Sequence, residues 1–95
     1  MSKLSDQEIT TRLSERSGWR RDGDALVRKF TFPSFADAIA FVTRLAFDAE
    51  SADHHPDILI SYKRVTLTYS THSEGGLTQK DFDGAAMADR AAGVP

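Results

Sequence analysis

The sequence contains no cysteine. That excludes a disulfide framework, a thiolate metal site and a cysteine nucleophile. No run approaches the roughly 18 apolar residues of a membrane span. The opening Met1–Thr10 is polar and has no apolar segment of the secretory kind. The expectation is a cytoplasmic protein with no membrane partner. A basic excess is also missing: 12 Lys and Arg face 14 Asp and Glu, a formal net charge of −2. Non-specific binding to nucleic acid rests on neutralising phosphates, so no nucleic-acid partner is expected. Repeats, linkers and low-complexity tracts are absent, and 95 residues suit a single domain spanning 1–95. A chain of this size buries only about two thirds of its unfolded surface, so association with another copy would help it.

What is present is concentrated. All three histidines, His54, His55 and His72, lie between Glu50 and Asp81, among carboxylates that include Asp53 and Asp57. Histidine changes charge near neutral pH. Clustered beside carboxylates, it suggests a proton-handling site; a scatter of surface histidines is the alternative.

The flanking pattern predicts the elements. Leu4 to Arg16 reads as a helix opened by a Ser5/Glu8 capping box. Trp19 to Phe32 reads as a hairpin turning at Asp22-Gly23. On its second arm Leu26, Phe30 and Phe32 share a face that Arg28 interrupts. Ser34 caps the longest helix, Phe35 to Ser51. Its apolar stripe reads as Phe35, Ala38, Ile39, Val42, Leu45, Ala46 and Ala49, with Phe47 nearly opposite, as a subunit contact would place it. Pro56 holds His55 out of helical geometry. Asp57–Tyr62 and Val65–His72 alternate as a second hairpin across Lys63-Arg64, placing Tyr62 with Ile58 and Ile60 and putting His72 at a strand end. Thr78 caps a last helix, with Asp81 three residues on. The fold class is α+β: a four-stranded antiparallel sheet with three helices packed on one face, in the order α-β-β-α-β-β-α.

In such a hairpin the entering and leaving segments share one end of the sheet, which brings His54 and His55 towards His72. Zinc accepts nitrogen and carboxylate ligands, but adjacent histidine side chains diverge and no i, i+4 pair stands on a helix. No metal is expected. No serine occupies a G-x-S-x-G elbow. General acid–base work by two histidines needs only a pocket between them. The residues alone leave that reading level with a structural cluster.

A longer pattern is more specific. Glu50, three residues, His54-His55-Pro56, five residues, Tyr62, nine residues, His72, eight residues and Asp81 resemble the signature of the pterin-4a-carbinolamine dehydratases. The resemblance covers about Leu4 to Ala92 and includes Gly18-Trp19, Phe32-x-x-Phe35 and Thr71-His72 to Gly76-Leu77-Thr78. It implies the same helix and strand order and a homodimer or homotetramer. It also implies a hydro-lyase that dehydrates 4a-hydroxytetrahydropterin to quinonoid dihydropterin, in tetrahydropterin recycling beside an aromatic amino acid hydroxylase. Pterin is then the substrate, and no cofactor is needed. The resemblance implies His54 and His72 as acid and base, with His55 binding and orienting the pterin. Glu50 and Asp53 would orient histidines, Pro56 would shape the turn, and Trp19 would line the pterin pocket. Lys80 stands where some members carry arginine, and Ile58 where many carry an aromatic residue. Asp81 matches the motif and also suits a helix cap. The competing class is a non-catalytic dimerisation or assembly module of the same fold.

Overall fold

The computed structural model describes residues 2–94. Helix α1 (Asp6–Ser14) begins where Ser5 accepts from the Glu8 amide and the Glu8 side chain returns the bond, so two free donors of the first turn are satisfied. That carboxylate is held below its ordinary pKa, first by its bonds to Ser5. The helix is shorter at both ends than the pattern predicts, and Ile9 is its buried anchor.

Strands β1 (Arg20–Asp22), β2 (Ala25–Thr31), β3 (Asp57–Ser61) and β4 (Arg64–Tyr69) form one antiparallel sheet in the order β1-β2-β4-β3. Asp22 pairs with Ala25, so the first turn is Gly23-Asp24, one residue later than expected, with Gly23 at φ 60°. Tyr62 and Lys63 turn the second hairpin. Tyr62 sits at φ 54°, off the strand face predicted for it.

Leu26, Phe30, Val65, Leu67 and Tyr69 present a buried face to the helices. Helix α2 (Phe35–Ala52) packs on that face through Ala38, Phe41, Leu45 and Ala49. This corrects the predicted stripe. Phe41 is fully buried, whereas Phe35, Ile39 and Ala46 are exposed. The helix carries two apolar stripes, and a single period fitted across both falls between them. Phe47 is 75% exposed, as its position off the stripe suggested. Helix α3 (Gln79–Ala92) lies across β2 and β4 beside α2, and its buried side holds Phe82, Gly84, Ala85 and Ala88.

The two sheet edges differ. β1 is short and carries Arg20, Arg21 and Asp22, charges that discourage further strand pairing. β3 offers Ile58 and Leu59, the latter 65% exposed. No helix among the described residues is long and apolar enough to cross a membrane.

Candidate active site

The C-terminus of α2 sets the first histidine. Asp53 takes the left-handed conformation, φ 52° and ψ 40°. Its N–H donates to the Glu50 carbonyl at 3.1 Å, and the His54 N–H donates to the Ala49 carbonyl at 3.2 Å. These are the two bonds of a Schellman turn, usually built on glycine. Aspartate tolerates this conformation better than most residues. The turn throws the chain back over the sheet with His54 as its first outgoing residue. The Asp53 side chain is exposed.

The two neighbouring imidazoles part company. His55 Nε2 lies 2.8 Å from Glu50 Oε1, a pair well open to solvent. His54 turns inward: its Nε2 is 2.6 Å from Oδ1 of Asp81, a carboxylate with no exposed surface. The other oxygen, Oδ2, accepts from the Thr78 amide at 2.9 Å and from the Thr71 hydroxyl at 2.8 Å. Asp81 thus does two jobs. One oxygen caps α3; the other holds His54. Sequence reading finds only the first, because the cap is local and the imidazole is 27 positions away.

His54 also stacks on Tyr69, with ring centroids 5.9 Å apart and planes at 24°. Burial, assisted by the negative charges of Asp81 and Asp48, pushes the Tyr69 hydroxyl well above the ordinary phenol range. It therefore holds its proton at neutral pH and acts as a wall. Tyr69 in turn leans on Gly84, where a Cβ would come within 2.5 Å of Cε1. Only glycine lets α3 approach this closely.

His72 does not end a strand. β4 stops at Tyr69, Thr71 makes an isolated bridge to Gly76, and His72 opens a 3-10 turn, His72–Glu74. Its side chain is exposed, and its ring makes no hydrogen bond among the described residues. It follows directly on Thr71, which bonds Asp81, which bonds His54. Among the described residues His54 is thus the histidine bonded into this buried network, and His72 adjoins it through the backbone of Thr71.

The other named residues fall differently. Trp19 is in the core, its indole N–H donating to Asp89 at 3.0 Å, and its aromatic neighbours are Phe30 and Tyr69 rather than a histidine. Lys80 is exposed in the first turn of α3, its N–H donating to Thr78 Oγ1. Pro56 borders a cleft of about 430 Å³ with Ala46, Phe47, Ala49, Glu50, His55 and Ile58. Apart from Glu50 and His55, that lining is apolar. The described residues gather no three potential metal ligands.

The family model for pterin 4 alpha carbinolamine dehydratase matches residues 2–91. A protein of Roseiflexus sp. (strain RS-1), named "Putative pterin-4-alpha-carbinolamine dehydratase", is 53% identical over 88 residues, 93% of this chain and 95% of its own. One of the same name from Chloroflexus aurantiacus (strain ATCC 29366 / DSM 635 / J-10-fl) is 50% identical over 93 residues, 98% of this chain and 100% of its own. Among solved structures, a transcriptional coactivator/pterin dehydratase from Brucella melitensis superposes with a TM-score of 0.93 at 34% identity, covering 96% of this chain and 99% of that one. A pterin dehydratase-like RuBisCO assembly factor of the alpha-carboxysome gives 0.72 at 30% identity over 82% of this chain and 93% of that one. Agreement of this extent, over the segments that carry all three histidines, means that the chain belongs to the pterin-4a-carbinolamine dehydratase family.

Proposed function

We propose that this protein dehydrates a 4a-hydroxytetrahydropterin to quinonoid dihydropterin and water. Carbon 4a carries the hydroxyl and is bonded to N5. A general acid protonates the departing hydroxyl as the carbon–oxygen bond breaks; a general base takes the N5 proton, and the C4a–N5 double bond forms. Both groups work best with a pKa near ambient pH, which suits imidazole. His54 and His72 are the acid–base pair, and His55, tied to Glu50, binds and orients the pterin. The observation that carries the reading is the fully buried Asp81 holding His54 through one oxygen while Thr71, next to His72, holds the other. A structural surface histidine has no need of a desolvated carboxylate. The step uses no metal or organic cofactor, and the product is one that a reductase recycles for an aromatic amino acid hydroxylase.

The assay follows the absorbance of freshly generated 4a-hydroxytetrahydropterin. Decay is expected to accelerate with protein at sub-stoichiometric amounts, equally with and without EDTA. An unchanged decay at stoichiometric protein would sink the enzyme reading and leave a dimerisation or assembly module, the alpha-carboxysome relative being described as a RuBisCO assembly factor. Inhibition by EDTA that zinc reverses would instead revive a metal site.

The same reading includes self-association. Phe47 and the β3 edge form exposed apolar surface around the cleft at His55 and Ile58. A second copy covering this strip would remove it from water, at roughly 25 cal/mol for each Å² buried. Sedimentation velocity is expected to show a dimer or tetramer; a species of 10.5 kDa at micromolar concentration would rule this out.

A further inference from the structure

We infer that Thr71 is a positioning residue for the dehydration: its hydroxyl completes a one-way chain of hydrogen bonds that fixes His54 as the Nε2–H tautomer. The inference rests on the reading of His54 as a reacting group.

The direction of the chain follows from counting protons. A threonine hydroxyl has one proton to donate and two lone pairs to accept with. Thr71 donates to Asp81 Oδ2 at 2.8 Å. Its contact with Thr78 Oγ1, at 2.9 Å, must then be one in which Thr78 donates. Thr78 Oγ1 itself accepts from the Lys80 amide at 3.2 Å. Every bond therefore points the same way, from the Lys80 N–H through two hydroxyls to the carboxylate. Oδ2 also takes the Thr78 amide at 2.9 Å. With two donors already on Oδ2, the carboxylate faces His54 as an acceptor.

This settles what His54 presents. An ionised carboxylate can only accept, so the hydrogen between Oδ1 and Nε2 belongs to the imidazole. The nitrogen left for exchange with substrate is then Nδ1. All three side chains of the chain are buried, where each bond is electrostatically stronger than in water and an unmade one costs more. Thr71 matters most among the donors because, among the described residues, it is the only side-chain hydroxyl on the carboxylate and because it adjoins His72. One residue thereby sets the tautomer of one imidazole and the backbone origin of the other.

The test is ¹⁵N NMR of the histidine rings, read beside the dehydration assay. The unmodified protein is expected to show His54 protonated at Nε2. Thr71→Ser keeps the hydroxyl and should keep that signature. Thr71→Val removes it; the His54 nitrogens should shift towards a tautomer mixture, with kcat lower by about tenfold or more and KM within about twofold, as for a lost bond to a charged group. Thr71→Ala, which leaves space rather than filling it, gives the same readout if the valine variant does not fold. An Nδ1–H tautomer in the unmodified protein overturns the proposal without any variant. So does a valine or alanine variant that keeps the wild-type tautomer, or one that shifts it with kcat intact. If the unmodified protein lacks dehydratase activity, the function reading fails on its own, and the NMR arm still decides the tautomer.

Discussion

His54→Ala and His72→Ala are each expected to cost about 10²-fold or more in dehydration rate, the usual contribution of a positioned acid or base. Their stabilities should diverge. His72 is exposed, opens a short 3-10 turn and makes no ring hydrogen bond among the described residues. Surface replacements of that kind stay within about 0.5 kcal/mol of wild type. His54 is mostly buried, and its loss strips a partner from Oδ1 of a carboxylate that has no exposed surface. An unsatisfied buried acceptor costs about 1–3 kcal/mol. For a domain of this size that lowers Tm by roughly 4–8 °C per kcal/mol. The informative variant is therefore His72→Ala: unchanged melting with a collapsed rate separates catalysis from scaffolding. Two folded variants that both turn over near the wild-type rate would remove the acid–base assignment.

The parts of this fold that could be read from the sequence are those set by neighbours in the chain. Ser5/Glu8 and Thr78/Asp81 sit three residues apart, and each makes the reciprocal bonds that its spacing implies. The alternation of β4 and the cap at Ser34 are of the same kind. Where two demands fall on one segment, pattern reading blurs. Helix α2 must bury Phe41 against the sheet while displaying Phe35, Ile39 and Phe47, and a single stripe drawn through it misassigns the faces. Asp53 is a similar case. Its carboxylate sits beside the histidines in sequence, yet the residue acts through its backbone, in a left-handed turn usually given to glycine.

The site divides along the same line. Three histidines within one third of the chain mark the candidate region, and an antiparallel hairpin puts both ends of the β3–β4 unit at one end of the sheet, with Asp57 opposite Thr68. The partners of His54 and His55 differ in how far chain order reveals them. Glu50 and His55, five apart, face each other across the last turn of α2 and could be paired from sequence. His54 with Asp81 could not, because a cap residue's second oxygen has no local signature. Arg28, which interrupts an otherwise apolar strand face, meets a carboxylate 61 positions away, besides the Ser17 carbonyl and the Phe30 ring.

That carboxylate, Asp89, supports the other large prediction. It lies two turns along α3 from Asp81, about 12 Å at the helical rise, and is equally hidden. Oδ1 accepts from the Trp19 indole and from Arg28 Nη1, both at 3.0 Å; Oδ2 accepts from Arg16 Nη1 at 3.1 Å. One side chain thus ties α3 to β2, to the segment after α1 and to the core tryptophan. Asp89→Ala leaves a buried indole N–H without a partner and two guanidinium groups without their counter-charge. Removing one member of a buried charge network costs about 3–5 kcal/mol. The arginines here are partly open to water, which favours the lower end. At about 3 kcal/mol the expected fall in Tm is roughly 12–24 °C, measured by calorimetry or circular dichroism. Asp89→Asn keeps the shape and an acceptor oxygen but not the charge, so it should fall between the alanine variant and wild type. A drop under about 4 °C for alanine would place the network among ordinary surface ion pairs. Tyr69 contacts Trp19 on one side of this arrangement and His54 on another. The asparagine variant, assayed well below its melting point, should therefore retain its turnover, since it loosens the anchor of the wall without touching the imidazole's own partner. A loss of rate there comparable to that of His54→Ala would show that the two carboxylates of α3 act on one site rather than on two separate tasks.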